Sequence, residues 1–175
     1  MNFCGPYDKQ LAAQHRASLC TPLLAGWEFR QRSTSFVGDA GWRSLAKAQD
    51  WALTAPVRHD LVSDKWTLVI TDTDQVIQYV NSGFEKMTGY ANYEAIGRRP
   101  NFLQGESTSP RVRQRIREAI LERKSVSEVV LNHRKDQSPY WCHLVIRPIM
   151  NRQKEVVNFI AFEEEVLFDE SYIDR

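Results

Sequence analysis

The segment Gly97 to Gly105 reads GRRPNFLQG and lies between two stretches of helical character. On its C-terminal side Ser109-Pro110 is a start signal: a hydroxyl cap, then a proline whose missing N–H would have had no partner anyway. Val112, Ile116, Ala119 and Ile120 then fall on one face of the helix that follows. On the N-terminal side, SGFEKMTGY places Phe84, Met87 and Thr88 at helical spacing, and Gly89 can take the left-handed conformation that stops a helix. Ala91 to Gly97 offers one further turn. The quoted segment itself reads as irregular chain or a single helical turn.

Outside these helices the period changes to two. TLVITD (Thr67 to Asp72), a polar turn at Thr73 to Gln75 and VIQYVN (Val76 to Asn81) predict a hairpin. After the helices come VSEVVLNH and PYWCHLVIRPI, separated by the turn-like RKDQS, and then VVNFIAFEEEV after the turn NRQK. The order is two strands, several short helices, one longer helix and three strands.

The N-terminal part differs. Tyr7 to Cys20 and Asp39 to Leu53 carry helical spacing, with Pro22 and Pro56 as breakers. Trp27, Trp42 and Trp51 lie here, and so much apolar area must dock on the following domain or on a second subunit. Both arrangements are open, and pairing into a homodimer through these helices is one of them. The chain thus divides into an N-terminal helical extension (1–62), a strand-and-helix domain (63–166) and a tail (167–175).

At 175 residues and 42% hydrophobic, the chain can bury one core plus an appendage. Its 23 basic and 22 acidic residues leave a net charge of +1, so no field recruits nucleic acid or an anionic membrane. No apolar run approaches the roughly 18 to 20 residues that span a bilayer. Three widely spaced cysteines (Cys4, Cys20, Cys142) and the lack of a secretory pattern predict a reduced, cytoplasmic protein.

The element order resembles a PAS domain: α+β, a five-stranded antiparallel sheet with short helices on one face enclosing a small pocket. VITDTDQVIQYVNSGFEKMTGY is similar to the opening of many PAS domains, and GRRPNFLQGE with NHRKDQSPYWC resembles the light-oxygen-voltage (LOV) subgroup, whose loop reads GRNCRFLQG. The resemblance covers Leu68 to Val166 and implies a pocket lined by nine positions. Gln104 and Asn132 are retained, and Arg117 stands where a phosphate-binding arginine is expected. Arg99, Pro100 and Asn101 replace Asn, the reactive Cys and Arg. Cys142 replaces a second amide ligand, Ala161 a glycine, and Glu163 the glutamine that reads the flavin's N5 and O4 edge.

The chemistry of these departures shapes the functional expectation. Proline has neither a nucleophile nor an N–H, so position 100 cannot form the thiol bond to flavin that LOV photochemistry needs. An ionised Glu163 only accepts hydrogen bonds, and a neutral one needs burial. Glu163 to Glu165 also reads as the solvated end of an edge strand. Cys142, with Tyr140, Leu144 and Ile146 at the same parity, reads as the pocket-facing thiol or as a small buried hydrophobe. Arg111, Arg113, Arg115 and Arg117 alternate by two and read as a solvated helix surface, and His133 has no metal partner at ligand spacing.

The expected function is a non-catalytic sensor or interaction module, acting in trans on a signalling protein, with a small ligand or partner in place of flavin. No cofactor is expected, FMN being the lesser alternative. That alternative makes the chain a cysteine-less flavin photoreceptor or redox sensor. An enzyme finds no nucleophile–base pair, metal cluster or glycine-rich phosphate loop in this sequence.

Overall fold

Apolar alternation along five segments closes into one antiparallel sheet in the computed structural model, which describes residues 41–167 and 169. The elements are α1 (Gly41–Ala48), α2 (Ala55–Leu61), β1 (Thr67–Thr71), β2 (Ile77–Val80), α3 (Ser82–Thr88), α4 (Asn92–Ala95), a 3₁₀ turn (Pro100–Leu103), α5 (Pro110–Leu121), β3 (Val126–His133), β4 (Pro139–Met150) and β5 (Val156–Val166). The strand order is β2-β1-β5-β4-β3. This is the five-stranded α+β arrangement expected from the sequence.

β5 is the central strand. It pairs with β1 from Thr67↔Glu163 to Thr71↔Phe159 and with β4 from Trp141↔Val166 to Met150↔Val156. Both of its edges are therefore occupied, which corrects the reading of Glu163 to Glu165 as the end of an edge strand. Because side chains alternate along a strand, Ile160 and Phe162 face one side of the sheet while Phe159, Ala161 and Glu163 face the other.

The first side is covered by the N-terminal helices. Trp42, Leu45, Trp51, Val57 and Leu61 bury against Leu68, Ile70, Ile160 and Phe162. The helix expected over 39–53 is shorter, because Asp50 takes a left-handed φ of 52°, which aspartate tolerates better than most residues. That turn delivers Trp51 to the sheet, where its Nε1 donates to Asn158 Oδ1 at 2.8 Å. Asn158 Nδ2 in turn donates to the Thr71 carbonyl at 2.9 Å.

Pro56 does not end a helix but opens one. It lies in the first turn of α2, where its missing N–H costs nothing. The Arg147 guanidinium reaches Asp60 Oδ2 at 2.7 Å and ties α2 to β4. These helices pack on their own sheet, the intrachain alternative. The helix expected over 7–20 and Trp27 lie outside the described residues.

The other side of the sheet carries α3, α4, the 3₁₀ turn and α5. α3 stops at Gly89, whose φ of 75° is the left-handed cap expected there. α5 begins at Pro110 with the Ser109 hydroxyl accepting from Val112 N.

Candidate functional site

Segment 97–108 is pinned at both ends, and this places the site. At its start, Ile77 N donates to Arg98 O and Gly97 N to Ile77 O, both at 2.9 Å, fastening it to β2. At its end, Gln104 bridges to Asn132, and Thr108 Oγ1 donates to Leu131 O at 2.6 Å, fastening it to β3. A side chain on Gly105 would meet the His133 ring at 2.4 Å, so only glycine allows so close a crossing. Between these anchors the Pro100–Leu103 turn is held over the sheet, with Arg98 stacked 3.9 Å from the Phe102 ring.

Beneath the turn, and beside α5, lies a cavity of about 590 Å³. Its apolar walls are Val69, Leu103, Val130, Leu144, Ile146 and Phe159. Its polar groups are Arg99, Asn101, Gln104, Arg113, Gln114, Arg117, Asn132 and Glu163. Eight of the nine positions read from the sequence border this one space: Arg99, Pro100, Asn101, Gln104, Arg117, Asn132, Ala161 and Glu163.

Cys142 is the ninth and does not border it: of its two readings the packing supports the small buried hydrophobe and corrects the pocket-facing thiol. It sits one pleat further along β4, opposite Val130 and Glu165, while Leu144, opposite Glu163, takes the cavity position. Cys142 is fully buried in a cluster with Met87, Tyr140 and Val130. Burial pushes its thiol pKa well up, with Glu163, Glu165 and Glu164 adding to the shift. The protonated thiol is a poor nucleophile, so this cysteine is inert.

The three consecutive glutamates have different partners. Glu164 meets Lys65 at 3.2 Å and His143 at 3.2 Å, and Glu165 meets Arg134. Glu163 is 6% exposed, and its Oε2 has no hydrogen-bond partner among the described residues. Burial pushes its carboxyl up to about 7, because no nearby cation repays the desolvation of the charge. The hydroxyl of Tyr140 is likewise raised, by burial first and then by Glu163.

The arginine run on α5 is not uniformly solvated as expected. Arg115 makes a two-pronged contact with Glu128 at 2.6 and 2.7 Å. Arg113 and Arg117 border the cavity and have no ion-pair partner among the described residues. Alternation by two hid this, yet Arg113 and Arg117 are four apart and so share one helix face. That spacing was the signal for Arg113, which sequence reasoning missed. Gln114 and Gln75 also border the cavity and gave no signal.

The PAS domain family matches residues 65–167. The chain is 34% identical over 102 residues to blue-light-activated histidine kinase 2 of Erythrobacter litoralis, covering 58% of this chain and 30% of that protein. It is 36% identical over 108 residues to a blue-light photoreceptor of Listeria monocytogenes, covering 60% and 42%. A solved structure described by the words "Flavin Analogue Sheds Light on Light-Oxygen-Voltage Domain Mechanism" superposes with a TM-score of 0.61 at 32% identity, covering 68% of this chain and 88% of that one. The chain thus spans under half the length of these two relatives, one of them a kinase.

These likenesses overturn the expectation of no cofactor: the proteins matched are blue-light photoreceptors, and the solved LOV structure is described through a flavin analogue. The objection from Glu163 also weakens physically, since a buried carboxyl raised to about 7 carries a proton to donate below that pH. The position of the match, the sheet and the cavity agree on one identification: the chain belongs to the PAS domain family, in its LOV-like subgroup.

Proposed function

We propose that this chain is a non-catalytic, flavin-binding sensory domain that responds to light or redox state without a thiol at position 100. One observation carries the reading: a single cavity joins buried amide and carboxyl groups at Asn132 and Glu163 to exposed arginines, Arg113 and Arg117, that have no ion-pair partner among the described residues. That polarity fits a flavin, which has a flat ring with a polar edge and a charged phosphate tail. The volume lies within the range of about 300–1,000 Å³ found for small-molecule sites. Apolar side chains on the strands and the 3₁₀ turn provide faces for a planar ring, and the arginines suit a phosphate. When bound, a flavin supplies blue-light absorption and electron transfer.

The protein's own contribution is to orient and to shield. Asn132 and Gln104 are held by the bridge between their backbones, and Glu163 is fixed by pairing on both sides of β5. Pro100 offers no nucleophile, and Cys142 is buried away from the cavity. In this reading the signal passes to a signalling protein or domain, which is supported by a blue-light-activated histidine kinase being among the relatives.

Reconstitution of the full chain with FMN tests the proposal. Flavin absorption should co-elute with the protein, and blue light should cause no reversible bleaching of the kind a thiol gives. Pro100→Cys should introduce that bleaching. Protein that stays colourless after reconstitution would refute flavin binding. Reversible bleaching in the unaltered chain would refute the thiol-free response.

A further inference from the structure

Glu163 is a buried group of the cavity whose hydrogen bonding the packing leaves incomplete among the described residues. Its side chain is fixed on the inner face because Thr67 and Leu144 pair with it from β1 and β4. It is almost wholly buried, borders the cavity and leaves Oε2 without a partner. A buried polar atom without a partner is destabilising, and a ligand that supplies one recovers that loss.

The surroundings set which partner it seeks. On β4 the nearest titratable groups are Tyr140 and Cys142, both held protonated. Thr67 on β1 and Asn132 on β3 are neutral. Glu85 and Lys86, on the α3 helix that packs on β1, are exposed. On its own strand Glu164 and Glu165 are engaged with Lys65 and Arg134. The cavity's cations, Arg99, Arg113 and Arg117, form no salt bridge with it. A carboxylate here has no charge partner, whereas a carboxylic acid has a donor to offer.

We propose that Glu163 determines specificity and makes binding pH-dependent: as a neutral acid it donates from Oε2 into the cavity, selecting a ligand edge that presents an acceptor and releasing it on ionisation. The proposal rests on the flavin reading, since the oxidised flavin ring presents carbonyl and ring-nitrogen acceptors along one edge. A glutamine donates at every pH, so the acid adds a proton dependence that an amide lacks.

Riboflavin is the suitable probe, because it lacks the phosphate that itself titrates near pH 6. Its dissociation constant for the full chain, measured by fluorescence quenching, should be roughly tenfold weaker at about pH 8 than at about pH 6, following the neutral fraction of a carboxyl titrating near 7. Glu163→Gln keeps the side-chain volume, and its affinity should vary by less than about twofold over that range, since its donor is always present. The infrared carbonyl band of a protonated acid should fade over the same range in the ligand-free protein and be missing from the variant at all pH values. Riboflavin binding that is pH-independent in both proteins would overturn this inference and leave the flavin reading standing. Binding of neither riboflavin nor FMN to either protein at either pH would overturn both.

Discussion

The two faces of the sheet solve opposite problems. On the outer face α1, α2 and the turn between them fill the space with Trp42, Leu45, Trp51, Val57 and Leu61, and the buried polar groups of Trp51 and Asn158 satisfy one another and the Thr71 carbonyl. On the inner face a cavity of about 590 Å³ remains, and Glu163 Oε2 has no hydrogen-bond partner among the described residues. Protein interiors are normally packed as densely as organic crystals, so open space beside an unpaired carboxyl marks a surface shaped for a ligand. The contrast implies that stability resides mainly on the outer face and binding on the inner one.

The sharpest way to break this contrast is Trp51→Ala. The substitution empties a large buried volume and leaves Asn158 Oδ1 without its donor. Unfolding free energy in a denaturant titration should fall by about 3–5 kcal/mol. Flavin affinity, read under conditions where the variant is folded, should be unchanged. A loss under about 1 kcal/mol would show that the helices only rest on the sheet.

Glu163 sharpens the contrast from the other side. Its folded-state pKa, about 7, lies above the ordinary 4.5, so the folded protein binds more protons than the unfolded chain between these values. Its contribution is therefore fully present below about pH 4.5 and is lost as the pH rises through about 7. The difference is on the order of 3 kcal/mol. Subtracting the unfolding free energy of Glu163→Gln from that of the unaltered chain across this range isolates the term. A difference that stays constant with pH would place the carboxylate in contact with water or a cation.

How much of this was legible depended on whether local chemistry or long-range pairing decided the outcome. The strands, the Gly89 stop and the Ser109-Pro110 start follow from local pattern, and the structure repeats them. The grouping of Pro100, Asn132 and Glu163 came from resemblance to a family, since no spacing brings positions 100 and 163 together. Three readings failed where tertiary context decides. Pro56 ends or begins a helix depending on what surrounds it. Whether β5 is central or peripheral is a property of the sheet, invisible in EEE. The parity of Cys142 was read correctly, but parity fixes a face and not how far along it the cavity reaches.

The smallest expected effect divides the arginines of one helix. Arg115 holds Glu128 in a two-pronged contact, with side chains 32% and 14% exposed, and this raises the guanidinium's affinity for its proton. Solvent screening limits the value of such a half-exposed pair, so Arg115→Ala should lower stability by up to about 1 kcal/mol, and by less in high salt. Arg113 and Arg117 hold no such partner among the described residues, and their replacement by alanine should change stability by no more than about 0.5 kcal/mol. Their effect belongs to ligand binding: the double variant should weaken FMN more than riboflavin, because only FMN brings a phosphate to the cavity mouth. Equal weakening of both ligands would mean that these arginines shape the helix and not the site, and the division between a structural and a binding face would then run through α5 differently from the way the cavity suggests.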